Sequence, residues 1–258
     1  MQYRDLLVEQ QGEVGVITLN SPKTINALSK NMILELTDAL QRFDSEAVVK
    51  VIIIKGSGKH FCSGHDLSEM VGGTMTEYKL IFERCTRMMN LIHEIKQVVI
   101  TQVHGVATAA GCQLVAQSDL SVAGESARFG TPGVKIGLFC TTPMVPLSRN
   151  IGRKIALDML LAGRMLTAKE AEYYGLVSRV VPDEKLEEAT MELAQSIAQA
   201  SPLTLGIGKK AFYHQIDMDQ KRAYEFALNV ITLNLTAEDA QEGIKAFLEK
   251  RTPVWRGR

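Results

Sequence analysis

The residues best placed to do chemistry lie in two short segments, KHFCSGHDLSEM (residues 59–70) and HGVATAAGCQL (residues 104–114). Ahead of the first, a β-branched stretch over residues 49–55 runs into Gly56 and Gly58, and Asp66 stands three residues before Glu69, the spacing of a capping box. The pattern predicts strand, loop and helix start, with the backbone N–H of His65 pointing out of a helix N-terminus. The first N–H groups of a helix lack internal partners and carry partial positive charge, which suits an anionic oxygen. The second segment repeats the design: a strand over residues 98–103 breaks at His104-Gly105, and the small residues Ala107, Ala109, Ala110 and Gly111 open a helix containing residues 112–117. Strands of one sheet would bring the two junctions to the same edge. Two backbone donors aimed at one point, from His65 and near Ala110, make an oxyanion hole for an enolate or tetrahedral oxyanion derived from a carbonyl. On spacing alone, the small residues serve equally well to pack a helix on a sheet.

Side chains that could move a proton are few near these junctions. His65 carries an imidazole, but the pattern uses its N–H, and the ring is expected to face solvent. Cys140, Thr141 and Thr142 fall in an irregular segment after the Thr131-Pro132-Gly133 turn, where Pro143 and Pro146 prevent a long helix. No positive charge in LFCTTP would lower the thiol pKa, so Cys140 reads as a small buried hydrophobe.

The elements that must position these residues alternate between strand and helix. A strand over residues 13–20 precedes a helix N-capped by Ser29, with Met32, Ile33, Leu36, Ala39, Leu40 and Phe43 on one face. The run over residues 51–54 suits a strand buried on both faces, and Leu80, Ile81, Met88, Leu91, Ile92 and Ile95 keep helical register behind it. Residues 119–123 supply another strand. Helices then dominate, over residues 153–161, 167–174 with a Thr167/Glu170 capping box, 184–200, 202–215, 222–235 and 236–251 with a Thr236/Asp239 cap, interrupted by a strand over residues 176–181. The class is α/β with a helical extension: residues 1–200 form the core, and 201–258 a C-terminal helical region of the same continuous domain.

Composition limits the possibilities. The chain has 258 residues, 46% of them hydrophobic, enough for a substantial core. Lys plus Arg and Asp plus Glu each number 29, so no net field draws the chain to nucleic acid or an anionic membrane. Cys62, Cys85, Cys112 and Cys140 lack metal-ligand spacing and are expected to be reduced thiols. MQYRDLLVEQ shows neither a signal-peptide core nor a transit pattern, and the expected location is cytoplasmic.

ITLNSPKTINALS (residues 17–29), FCSGHDLSEM (61–70), HGVATAAGCQL (104–114), FGTPGVKIGL (129–138), LAGRMLTAKEAEYYGLVSRVV (161–181) and GIKAFLEKR (243–251) resemble, in order and over essentially the whole chain, the crotonase or enoyl-CoA hydratase/isomerase superfamily. The resemblance implies a spiral of ββα units with a C-terminal helical trimerisation region, a homotrimer or dimer of trimers, and an acyl-CoA thioester as substrate. No cofactor or metal is implied beyond the coenzyme A of that thioester. It implies that the N–H groups of His65 and Ala110 hold the thioester oxygen; the family usually has glycine at the second position, and alanine is compatible if its φ is negative. By the same matching, Ser63, Asp66, Leu67 and Ser68 lie against adenine and pantetheine, Ala27 flanks the pantetheine, Cys140 and Thr141 border the acyl pocket, and Phe247 with Lys250 closes the CoA site. Lys250 could equally be a solvated residue of the run Glu249-Lys250-Arg251.

The departures bear on the reaction. Family hydratases use two glutamates, where this chain has Gln113 and Gly133. A glutamine amide orients water but cannot act as the base, and losing one positioned acid-base group costs about 10²–10⁴-fold. The expected function is an acyl-CoA enzyme that stabilises a thioester enolate, with enoyl-CoA hydration weak or absent. Two alternatives stand beside it: a malonyl-type acyl-CoA decarboxylase, which the G-H-D form of the first loop is also similar to, and an acyl-CoA binding or regulatory protein without turnover.

Overall fold

The computed structural model describes residues 3–258, leaving Met1 and Gln2 of the N-terminal stretch outside. Among these residues the strands are β1 (Leu6–Gln11), β2 (Val14–Leu19), β3 (Val51–Gly56), β4 (Val98–Val103), β5 (Val106–Thr108), β6 (Leu120–Gly124), β7 (Arg128–Gly130), β8 (Met165–Thr167) and β9 (Arg179–Val181). Six of them form a sheet in the order β1-β2-β3-β4-β6-β9, parallel throughout except for the β1–β2 hairpin. The short strands β5, β7 and β8 form a second sheet. Val51, Ile52, Ile53 and Ile54 of β3 are all buried, as a strand covered on both faces requires.

The helices are α1 (Lys30–Ser45), α2 (Met75–Glu94), α3 (Ala110–Gln117), α4 (Met144–Asn150), α5 (Arg153–Leu157), α6 (Ala168–Tyr173), α7 (Leu186–Ala198), α8 (Pro202–Gln215), α9 (Gln220–Leu235) and α10 (Glu238–Glu249). On one face of the main sheet, Ile17, Leu19, Ile52 and Ile54 pack with the apolar stripes of α1 and α2; on the other, Val14, Val16, Val51 and Ile53 pack with Leu186, Leu193 and Ala194 of α7. The Ser29 hydroxyl accepts from the Met32 N–H, and all six residues assigned to the inner face of α1 are buried.

Several expectations are corrected. Asp66 caps only a single 3-10 turn, Leu67–Met70, and the Glu69 carboxylate accepts the Lys30 N–H at 2.8 Å instead of closing a capping box. The long helix begins only at Met75, beyond Gly72-Gly73, where Thr74 and Glu77 form the true box. Leu80 is exposed rather than buried. Ala107 belongs to β5, not to α3, which starts at Ala110. β1, β5, β7 and β8 are additions; the last three are only three residues long, too short to show periodicity. The stretch over residues 176–181 pairs only from Arg179, and α5 passes at Asp158 into a π turn. Asp239 does not cap α10: its buried carboxylate accepts from the Ser201 hydroxyl (2.6 Å) and the N–H groups of Arg256 (2.7 Å) and Gly257 (3.0 Å), fastening the tail.

Helix α8 is pinned to the core by a buried polar cluster. The Asp119 carboxylate pairs with Lys209 at 2.7 Å and accepts the Tyr213 hydroxyl at 2.9 Å and the Val99 N–H at 2.7 Å. Lys209 also donates to the Gln97 carbonyl at 2.6 Å, and burial lowers its pKa. Beyond it, α9 and α10 leave Leu228, Ile231, Phe247 and Leu248 exposed.

Candidate active site

Glycines let two loops meet backbone to backbone. The loop before His65 is laced to both neighbours: Leu28 N–H donates to the Gly64 carbonyl (2.7 Å), Cys62 N–H to Val106 (3.1 Å) and Thr108 N–H back to Cys62 (2.9 Å). Gly64 has φ +102°, and a Cβ built on it would stand 2.8 Å from the Cβ of Ala109 and 3.2 Å from the Ala110 nitrogen. A Cβ on Gly111 would run into the Cys62 carbonyl oxygen. Neither site has room for a side chain, which brings the segments around His65 and Ala110 into contact.

The two N–H groups are presented differently. Ala110 opens α3, so its N–H has no acceptor inside the helix, and the turn into it is made by Ala109 with φ 49° and ψ −118°. The positive φ that an alanine at 110 had to avoid thus falls one residue earlier, on an alanine held by its N–H to the Gly130 carbonyl (2.9 Å). His65 is not at an α-helix N-terminus. It forms an isolated bridge with Leu28 and is followed by one 3-10 turn, so a helix macrodipole is present only at Ala110. Among the described residues, no hydrogen bond uses the N–H of His65 or of Ala110.

Both residues line one cavity of about 600 Å³. Of the residues singled out by sequence, Ala27, Ser63, Asp66, Leu67 and Ser68 form one side, while Gly133, Cys140 and Thr141 stand on its lining with Pro132 and Thr142. Gln113, Phe247 and Lys250 are not part of the lining. Gln113 is 5% exposed, with its Oε1 buried and unpartnered. Phe247 is 83% exposed on α10, and Lys250 is the left-handed residue that ends that helix. Sequence reasoning missed Met70, Phe82, Lys135, Leu138 and Phe139 of the lining. Phe82 was the detectable one, a large apolar residue one position off the buried stripe of Ile81, Cys85, Met88 and Ile92.

The His65 ring does not face solvent. It packs edge-on against Phe82, with ring centres 5.2 Å apart, and its Nε2 is buried without a partner. Desolvation pushes its pKa down to about 4, so the ring is neutral near pH 7. Asp66 is committed to its own turn, accepting from the Ser68 N–H (3.0 Å) and hydroxyl (2.7 Å).

Gly133 is closely enclosed. The Leu138 N–H closes onto its carbonyl at 3.0 Å, and a Cβ at 133 would meet the Leu138 carbonyl oxygen and stand 2.8 Å from the Cys140 sulfur. Burial raises the Cys140 pKa against a Gly133 N–H that lowers it, so the group is a thiol, as its neighbourhood implied. The thiols of Cys62, Cys85 and Cys112 are pushed up to about 12 by burial.

A spiral of strand-helix units with two loop junctions on one apolar cavity defines the crotonase fold class. The solved structure of an enoyl-CoA hydratase from Mycobacterium smegmatis superposes with a TM-score of 0.95 at 42% identity, covering 98% of this chain and 99% of that one. Human enoyl Coenzyme A hydratase domain-containing protein 3 gives the same TM-score, 0.95, and 42% identity, over 98% and 100%. In sequence, rat enoyl-CoA hydratase domain-containing protein 3, mitochondrial, is 45% identical over 95% of this chain and 82% of its own length. The 2,3-dehydroadipyl-CoA hydratase of Escherichia coli is 32% identical over 98% and 99%. The family model described as enoyl-CoA hydratase/isomerase matches residues 9–258, and the chain belongs to that family.

Proposed function

We propose that the protein is an acyl-CoA enzyme whose cavity stabilises a thioester enolate through the N–H groups of His65 and Ala110, and that it hydrates enoyl-CoA esters weakly or not at all. The observation that carries this is the pair of unbonded N–H groups on one cavity, in segments whose contact Gly64 and Gly111 make possible. Such preorganised donors are worth about 10²–10³-fold each to an oxyanion reaction. Against hydration stand the residues themselves. Gln113 cannot act as a base, and the space a side chain at 133 would need is filled by Leu138 and Cys140.

The test is incubation with a panel of acyl-CoA esters followed by mass spectrometry. Bound esters with crotonyl-CoA left unhydrated are expected; hydration at rates ordinary for an enzyme would overturn the second half of the reading. Decarboxylation of a malonyl-type ester is the second reading, favoured by a cavity that keeps both donors while Asp66, its carboxylate, is tied into a turn. It asks mainly for an oxyanion hole, and release of CO₂ would select it.

The exposed apolar residues Leu228, Ile231, Phe247 and Leu248 support assembly through the C-terminal helices as a homotrimer or dimer of trimers. Phe247 and Lys250 would then complete the CoA site of a neighbouring copy. Light scattering on the purified chain decides this, a monomeric mass being the adverse result.

A further inference from the structure

We propose that the chain carries a second ligand site, for a phosphate-bearing anion, in the cavity between α8, the C-terminal tail and one edge of the main sheet. It goes beyond the acyl-CoA reading and stands or falls independently of it. The cavity holds about 620 Å³, within the span of roughly 300–1,000 Å³ typical of small-molecule pockets. Three of its lining residues, Glu13, Lys50 and Lys96, come just before β2, β3 and β4. Those strands are parallel, so the three residues share one edge of the sheet, whereas the loop carrying His65 leaves β3 at the opposite edge. Strands of six residues hold the two edges about 20 Å apart, and the second cavity is therefore no extension of the first.

Charge singles this cavity out. The chain as a whole is balanced, with 29 Lys and Arg against 29 Asp and Glu. The active cavity is lined by one cation, Lys135, and one carboxylate, Asp66; the groove on α2 is lined by Lys79 and Arg87 against Glu83 and Glu94. Here Lys50, Lys96, Lys210 and Arg256 stand against a single carboxylate, Glu13. Lys50 is already engaged, pairing with Glu13 at 2.8 Å and donating to the Ala198 carbonyl at 2.7 Å. The Arg256 guanidinium lies 3.6 Å from Glu238. Among the described residues, the ammonium groups of Lys96 and Lys210 have neither a hydrogen-bond acceptor nor an ion-pair partner, and the neighbouring Asp44 accepts only the Lys96 backbone N–H, at 3.1 Å. Unpaired cations on a concave wall raise the local concentration of anions.

The fold brings these two lysines together. Leu203, Gly206, Ile207 and Lys210 are spaced as one face of α8, and all four line the cavity. At Gly206 the helix lies directly on Lys96, since a Cβ there would stand 3.0 Å from the Lys96 Cβ. Lys210 is one turn further along the same face. Trp255, the chain's single tryptophan, completes the lining, its indole N–H donating to the Gln199 carbonyl at 2.6 Å. Two free ammonium groups beside an aliphatic and aromatic surface suit a ligand with phosphates at one end and a ring body at the other, the chemistry of a nucleoside diphosphate. Lysine takes phosphate as a point charge, and an indole offers a flat base an apolar face.

The test titrates ADP and inorganic pyrophosphate into the wild type and into a double variant, Lys96→Gln with Lys210→Gln, by calorimetry and by the emission of Trp255. ADP is expected to bind the wild type and change that emission, and to bind the double variant at least about tenfold more weakly, as loss of hydrogen bonds to a charged group requires. Pyrophosphate binding that the double variant loses, without ADP binding more tightly, supports the site and assigns it to the phosphates alone. Binding of neither probe at millimolar concentration, ADP binding that leaves Trp255 emission unchanged, or equal affinity in both proteins overturns the proposal. Should the double variant not fold, Lys210→Glu, at an exposed position of α8, is judged by the same criteria.

Discussion

The cavity has two walls of opposite character. On the wall formed by the loops around His65 and Ala110, backbone meets backbone so closely that Gly64 and Gly111 admit no Cβ, and two N–H groups stay unbonded. On the wall from Pro132 to Thr142, backbone and thiol have closed over the place where a side chain would project from residue 133. The first wall leaves two backbone donors unbonded beside the cavity; the second presents a glycine with no room for a side chain. The proposed function makes holding a thioester and hydrating it separable properties, carried by different loops.

The comparison breaks most directly at Gly111. Gly111→Ala places a methyl against the Cys62 carbonyl, and a loss of ~3 kcal/mol in urea unfolding is expected, along with loss of acyl-CoA binding; a stable variant that still binds would mean the two loops are not packed as described. Acid comes next. The folded pKa of His65, about 4, lies below its unfolded value of 6.5, so the unfolded chain binds more protons between those limits. No stability is at stake above pH 6.5, and at most ~3 kcal/mol is lost as pH falls to about 4. Denaturation curves should therefore show His65→Gln losing less over that window than the wild type, and parallel losses would place the ring in solvent.

Strain at the second donor is a smaller effect. Ala109→Gly relieves an alanine at φ 49°, and a gain of ~1 kcal/mol, seen as a raised melting temperature, is expected if the surrounding contacts hold. The smallest expected change sharpens the other wall. Gln113→Glu combined with Gly133→Glu should leave crotonyl-CoA hydration undetected, since the new side chain at 133 meets Leu138 and Cys140. Hydration by the double variant would show that the wall yields readily.

Much of this could be read in the chain. The β-branched run in β3 and the buried stripe of α1 follow from periodicity, which survives because a sheet covered on both faces and an amphipathic helix leave little choice of partner. The match of Ala27, Ser63, Asp66 and Cys140 to the cavity followed from motif positions. Local spacing failed where two caps competed. Asp66 and Glu69 looked like a box, but Glu69 was drawn to the Lys30 N–H, 39 residues away in sequence, and Thr74 took the helix. It failed again at Asp239, whose partners lie in α8's cap and the C-terminal tail.

What the sequence determined by itself is therefore the family, the longer strands and helices, and the identity of the residues at the positions the family match singles out, because these depend on residue type and short-range pattern. Only the tertiary structure decided that the His65 ring turns inward against Phe82, that the awkward φ falls on Ala109, and that residue 133 has no room for a side chain. Each depends on which segment, distant in the chain, comes to lie against the residue, and packing density rather than local preference sets that distance.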